Sequence, residues 1–293
     1  MRIAFIGLGA MGAPMAINLS TAGHEVCGFD LRAAPLAALM DAGGEAATTA
    51  AEAAQDAELL WLMVVSGEQA QSVLFDDGAA SALKPGAIVV ASCTQAPAMA
   101  AATAERLAAM GLVMLDAPVS GGAAGARAAA LTIMCSGDPK VQQRVQPAFK
   151  AVGKRIFDVG AQPGMGSTAK MINQLLCGVH IAAAAEAMNV AERAGVSLQT
   201  MHEIISVSAG NSWMWGDRGP RMMMDEPPVT SAVDIFVKDL GIVLDQGKAQ
   251  RLGLPLSAAA MQMFLAASGL GHGAADDSQV IRAYRALNGV KKA

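Results

Sequence analysis

The chain has 293 residues, enough for two domains rather than one minimal core. With 53% hydrophobic and only 16% charged residues it carries the apolar surface needed to fold, which excludes a disordered chain. A formal charge of −4 offers no basic stripe for phosphate neutralisation, so the expected partner is a small molecule and not nucleic acid.

In chain order, short apolar runs alternate with Ala-rich helical stretches through the first half, the pattern of βαβ units in a Rossmann-type doubly wound sheet. Strands are expected over residues 2–6, 25–29, 59–64, 87–91, 113–116, 131–135 and 155–158. Helices are expected near 10–22, 35–41, 69–75, 97–110 and 139–149. After Gly160-Ala161-Gln162-Pro163-Gly164 the strand signals stop, and 167–194 reads as one long helix without an internal proline. The expected domains are therefore 1–163, binding a dinucleotide, and 164–293, an all-α domain for substrate and oligomerisation, joined by that helix. Helices beyond it are punctuated at Gly210, Gly219-Pro220, Pro227-Pro228 and Leu254-Pro255. The Ala-dense stretches 46–57 and 123–130 show no fixed period, so no repeat is read.

The apolar run Met1 to Ile6 is too short for a signal-peptide core, and Cys27, Cys93, Cys135 and Cys177 are scattered singly. A cytoplasmic protein with no disulfide framework and no metal site is expected. Residues 252–275 lack Asp, Glu, Lys and Arg, but Pro255, Ser257, Gln262 and Ser268 interrupt them. They read as a buried helix, and no membrane partner is expected.

Gly7-Leu8-Gly9-Ala10-Met11-Gly12 places a GxGxxG directly after an apolar strand and before a helical run. Gly7 permits a tight turn, Gly9 lets the backbone approach a pyrophosphate, and Gly12 lets helix and strand pack closely. Asp30 ends the second strand, where a carboxylate can accept both ribose hydroxyls and repel a 2′-phosphate. NAD is expected as cofactor; NADP stays open because Arg32 is close enough to reach a 2′-phosphate.

Two further stretches point to chemistry. Ser120-Gly121-Gly122 follows a strand and can present a hydroxyl and backbone N–H groups to a carboxylate, although read alone it is more often a turn. Lys170 and Asn173 share one face of the long helix, a pair suited to holding and protonating a carbonyl oxygen. A helical lysine is otherwise an ordinary surface group.

Four colinear blocks, FIGLGAMGAPMAINL from Phe5, DAPVSGG from Asp116, GMGSTAKMINQ from Gly164 and VKDLGIVLD from Val237, resemble the β-hydroxyacid dehydrogenase family. The likeness covers nearly the whole chain. Members of this family act on 3-hydroxyisobutyrate, tartronate semialdehyde and similar small hydroxy acids. The resemblance implies that Gly7, Leu8, Gly9, Ala10, Met11 and Gly12 bind the dinucleotide, and that Ser120, Gly121 and Gly122 bind the substrate carboxylate. It makes Lys170 the acid/base and Asn173, with Gln174 beside it, the group that orients the substrate. Lys238 would close on cofactor and substrate; its alternative is an i,i+4 surface pair with Asp234. Val65, Ser66 and Thr94 would line the nicotinamide side, Val65-Ser66 standing where the family commonly has Leu-Pro. The implied reaction is hydride transfer, with Lys170 taking the hydroxyl proton. Because a free lysine titrates near about 10.4, base function requires burial or a neighbouring cation such as Lys238.

The segments 178–187, 208–218 and 231–240 look most similar to the L-threonate dehydrogenase branch, whose members oxidise the C2 hydroxyl of a four-carbon sugar acid with NAD. A polyhydroxy substrate would account for Asn211, Ser212, Arg218 and His180 near the pocket, while Trp213, Met214 and Trp215 fit a core or subunit interface equally well. The alternatives are a 3-hydroxyisobutyrate dehydrogenase, a tartronate semialdehyde reductase and, remotely, a non-catalytic nucleotide-binding protein. An imine reductase generally replaces the lysine that stands here at 170. The long helix and Met222-Met223-Met224 point to a homodimer or homotetramer.

Overall fold

The computed structural model describes residues 1–289, in which two compact units meet in the chain at Lys170 and Met171. The first unit is built on β1 (Arg2–Ile6), β2 (Glu25–Phe29), β3 (Glu45–Ala46), β4 (Leu59–Leu62), β5 (Ile88–Ala91) and β6 (Val113–Asp116). They form one parallel sheet in the order β3-β2-β1-β4-β5-β6. The chain starts at the centre, runs to one edge, and returns past β1 to fill the other half. The reversal leaves a crevice at the carboxyl ends of β1 and β4, where sheets of this type bind ligands.

Why these runs are strands follows from their burial. Ile3 to Ile6 and all of β4 and β5 are buried, as expected for strands covered on both faces. Alternation divides them between two cores: Ile3 and Phe5 join Met15, Leu19, Trp61 and Phe149 on one side, and Ala4 and Ile6 join Leu60, Leu74 and Val89 on the other. Trp61 stacks on Phe5 at 5.9 Å and meets Phe149 edge-on at 5.5 Å. Its indole N–H donates to Ser92 Oγ, which donates to the Ala117 carbonyl, so the ends of β4, β5 and β6 are tied together in the interior.

The strands expected at 131–135 and 155–158 exist, but in a second sheet. β7 (Val119–Ser120), β8 (Leu131–Cys135) and β9 (Gly153–Asp158) form three strands, β7 antiparallel and β9 parallel to β8. Pro118 brings no N–H to continue β6, and its carbonyl instead accepts from Met134 N at 2.9 Å. The chain thus folds back over β8 rather than adding to the main sheet.

The helix Met165–Ala194 runs on from the first unit into the second. Beyond it the described residues form helices, including Leu198–Ser206, Trp213–Met222, Val233–Gln250 and Pro255–Ala267, around Met188, Trp215, Phe236, Leu240 and Phe264. Pro220, expected to separate helices, lies inside Trp213–Met222 near its end. The charge-free stretch 252–275 is broken into Pro255–Ala267 and a wider turn at Ser268–His272. At about 1.5 Å per residue that helix is far short of the ~30 Å of a bilayer core. Met165–Ala194 does have the length and apolar composition to cross one.

Candidate active site

The glycines of the first loop are required for different reasons. Gly7 ends β1 with φ +93°, and a Cβ there would lie 2.5 Å from the Met63 carbonyl oxygen; its N–H donates to Phe29 O. A Cβ on Gly12 would lie 1.9 Å from Gly7 O, so the helix Gly12–Thr21 can start only if residue 12 has no side chain. Gly9 is unlike both: nothing lies within 4 Å of where its Cβ would be. The protein itself does not demand that glycine, and the space is what a pyrophosphate against the backbone would use. The helix behind it has no side-chain cap; its Ala13 N–H donates to Gly9 O, and Pro14 brings no N–H.

Asp30 is the hub of this loop. Its Oδ2 accepts from Leu8 N at 2.8 Å, and its Oδ1 accepts from Arg32 N and Nε, each at 3.0 Å. Arg32 Nη2 also reaches Asp30 Oδ2 and the Leu8 carbonyl. Burial pulls the Asp30 carboxyl upward, but the Arg32 guanidinium and the two backbone N–H groups outweigh it and hold the acid below its ordinary range. The Leu8 bond aims the carboxylate, while the Arg32 side chain, 63% exposed, is the contact a ribose diol would replace.

Val65, Ser66 and Thr94 follow the ends of β4 and β5. Ser66 Oγ accepts from Gln69 N, and Gln69 Oε1 accepts from Val65 N, a reciprocal cap that fixes the turn after β4. Gly67 follows because Met99 and Gln95 press on it.

Ser120 lies on β7, and Gly121 and Gly122 open the short helix Gly122–Arg127 with φ +133° and +62°. The residue that ties this block to Lys170 is Asp116, the first residue of DAPVSGG, whose role no local pattern marks. Its carboxylate is wholly buried and takes three hydrogen bonds, from Gly164 N at 2.9 Å, Ser167 N at 2.7 Å and Ser167 Oγ at 2.8 Å. Ser136 Oγ accepts from Gly166 N. Donors of the first turn of Met165–Ala194, which would otherwise be orphaned, are thus met by the ends of β6 and β8. Burial raises the Asp116 carboxyl, with these donors opposing. Lys170, in the second turn of this helix, is only 8% exposed, which is rare for lysine.

In the second unit, Asn173 Nδ2 donates to Gln174 Oε1 at 3.1 Å and to Cys177 Sγ at 3.4 Å. Gln174 Nε2 donates to Asp239 Oδ2, and Lys238 Nζ pairs with Asp239 Oδ1, both at 2.5 Å. The expected partner Asp234 is not the one chosen: its carboxylate faces Gly273, in the first turn of Val233–Gln250. Asp239, which no sequence signal singled out, meets the Lys238 charge.

The segment 208–218 divides. Arg218 gives Nε and Nη2 to the two oxygens of Asp277, each at 2.8 Å, and Nη1 to Asp217. This corrects the expectation that its guanidinium is open to substrate, because a buried acid and its neighbour already occupy both edges. Burial raises the Asp277 carboxyl, Arg218 opposing. Trp215 is core, stacked on His202 at 5.8 Å, whereas Trp213 is exposed. Asn211 is exposed, its amide donating to Ser206 O at the end of Leu198–Ser206. His180 is half-buried on the long helix.

Two family models cover the chain. Residues 2–160 match the NAD-binding domain of 6-phosphogluconate dehydrogenase, and 164–284 match the NAD-binding domain of NADP-dependent 3-hydroxyisobutyrate dehydrogenase. The chain is 47% identical to L-threonate dehydrogenase from Cupriavidus necator, across 97% of this chain and 96% of the relative. It is 44% identical to L-threonate dehydrogenase from Escherichia coli K12, across 98% and 95%. The crystal structure of a 3-hydroxyisobutyrate dehydrogenase from Salmonella typhimurium superposes with a TM-score of 0.91 at 44% identity, covering 96% of this chain and 98% of that one.

Proposed function

The chain belongs to the β-hydroxyacid dehydrogenase family, and from that premise we propose that it oxidises the C2 hydroxyl of a four-carbon aldonate such as L-threonate. The observation that carries the reading is the buried amine of Lys170, on a helix whose first turn is held by Asp116, four residues before Ser120. NAD is the cofactor, and its chemistry when bound is to accept a hydride from the hydroxyl-bearing carbon.

The residues of the chain do the rest. Gly7 to Gly12 hold the pyrophosphate, and Asp30 takes the adenosine ribose. Val65, Ser66, Thr94 and Lys238 border the nicotinamide end. Ser120, Gly121 and Gly122 bind the substrate carboxylate through a hydroxyl and backbone N–H groups. Asn173 and Gln174 orient the substrate, and Asn211 contacts its tail. Lys170 holds the reacting hydroxyl and takes its proton as the C–H electron pair leaves and the C=O bond forms; in the reverse direction it returns that proton. Fixing these groups supplies the orientation on which the rate depends.

Residues 1–163 serve as the dinucleotide domain and 164–293 as the substrate and oligomerisation domain. The described cysteines are free thiols, in keeping with a cytoplasmic enzyme. Exposed Ile172, Leu176 and Val190 along one helix support a homodimer or homotetramer.

The test is NADH or NADPH formation by purified protein on L-threonate, D-threonate, D-erythronate, glycerate and 3-hydroxyisobutyrate. L-threonate with NAD is expected to give the highest kcat/KM, by about tenfold or more. Preference for 3-hydroxyisobutyrate, or turnover only in the reductive direction, would overturn the substrate assignment and leave the family in place.

A further inference from the structure

Four polar side chains of the second unit form a hydrogen-bonded chain that can run in only one sense. Asp239 is 2% exposed and pairs with Lys238, and an ionised carboxylate has no hydrogen to give. The atom of Gln174 that meets Asp239 Oδ2 must therefore be its amide nitrogen. That turns Gln174 Oε1 away from Asp239, where it accepts from Asn173 Nδ2. The second hydrogen of the Asn173 amide goes one helical turn on, to Cys177 Sγ. Both N–H bonds of Asn173 are spent, and its carbonyl Oδ1 is left without a donor among the described residues. Reversing the chain would set the Gln174 carbonyl against a buried carboxylate, acceptor against acceptor, which is strongly unfavourable.

We propose that Asp239 is a positioning residue that fixes the sense of Asn173, so that Asn173 meets the substrate only as an acceptor and selects a hydroxy acid with a second, non-reacting hydroxyl. This rests on the proposed function in one respect: the single hydrogen of the reacting hydroxyl goes to Lys170 and is not available to Asn173. A carboxylate has no hydrogen to offer, and neither does a methyl group. The donor that satisfies Asn173 Oδ1 is then a further hydroxyl of the acid. An acid with one hydroxyl leaves that carbonyl without a donor from the ligand, the situation in which a hydrogen-bonding pocket discriminates most strongly. The fixed sense also removes Asn173 as a donor to the product carbonyl, the task that Lys170 is left to perform alone.

The experiment compares L-threonate with 2,4-dihydroxybutanoate and 2,3-dihydroxybutanoate, which lack one non-reacting hydroxyl each, in the wild type, Asp239→Asn and Asn173→Ala. Two readouts are taken: kcat/KM with NAD, and calorimetric binding of each acid to the NADH-loaded enzyme. In the wild type one of the two deoxy acids should lose on the order of tenfold or more in both. Asp239→Asn keeps the size of the side chain but can donate or accept, so the chain loses its fixed sense. The ratio between L-threonate and that deoxy acid should then collapse towards one, through loss on L-threonate alone. Asn173→Ala should abolish the ratio and leave NADH affinity unchanged.

An unaltered ratio in Asp239→Asn overturns the proposal. So does a tenfold loss of NADH affinity in Asn173→Ala with the ratio intact, because the donor would then be the nicotinamide carboxamide. If L-threonate is not turned over, the functional reading fails separately, and the same comparison is made on the preferred acid of the panel. A preferred acid with a single hydroxyl overturns the inference.

Discussion

Asp116 Oδ2 accepts the backbone N–H of Ser167 at 2.7 Å, which fastens the start of the helix bearing Lys170 to the end of β6. Asp116→Ala would leave two buried N–H groups and a hydroxyl without partners, at about 1–3 kcal/mol each. The variant should lose about 3–5 kcal/mol in urea unfolding. Asp116→Asn retains one carbonyl acceptor and should lose clearly less. Equal losses in the two variants would mean that the charge, and not the geometry, matters.

Arg218 and Asp277 form the corresponding pair in the second unit. Arg218→Met strands a buried carboxylate and should cost about 3–5 kcal/mol, while KM for the hydroxy acid changes little. The pH dependence has a definite sign. Asp277 already titrates above its ordinary value because of burial, and loss of Arg218 raises it further. A carboxyl raised in the folded state favours folding below its unfolded pKa and loses that contribution as pH rises. The stability gap between Arg218→Met and wild type should therefore narrow as pH falls from 7 towards about 4, read from urea midpoints at each pH.

Asp30 is aimed by Leu8 independently of Arg32. Asp30→Ala should lower kcat/KM for NAD by about tenfold or more and raise that for NADP relative to it. Arg32→Ala should leave NAD turnover close to wild type and weaken NADP. Because the Asp30 carboxyl is held below its ordinary value, its charge persists as pH falls, and the NAD preference should stay flat down to about pH 4.

The thiols should react in a definite order. Burial, with Asp116 and Asp158 adding to it, pushes the Cys135 thiol up to about 12, and burial also raises Cys27. Thiolate is the nucleophile, and Cys177 is the least buried of the four. Iodoacetamide on the native protein should label Cys177 first by mass spectrometry. NADH with bound hydroxy acid should slow that labelling, because Cys177 accepts from Asn173.

Much of the fold could be read from local pattern. β1, β2, β6 and β8 match the expected bounds residue for residue, because their apolar runs are flanked by breakers. The two-residue strands β3 and β7 are too short to show a period. The second sheet was not legible because alternation marks a strand without naming its partner. At the site, Gly7 and Gly12 were legible because their backbone demands are local, and Lys170 and Asn173 through the block that contains them. Asp116 and Asp239 were not, because what distinguishes them is burial against donors distant in sequence. Arg218 misled for the same reason: its partner Asp277 lies fifty-nine residues away.

The most direct test of the account is Lys170→Ala, with turnover on the preferred hydroxy acid and NADH affinity by fluorescence titration measured on the same preparation. A fall in kcat of about 10²–10⁴-fold with NADH affinity unchanged is predicted for a residue that handles the substrate proton. Turnover near the wild-type value would contradict the role of Lys170 and the mechanism built on it.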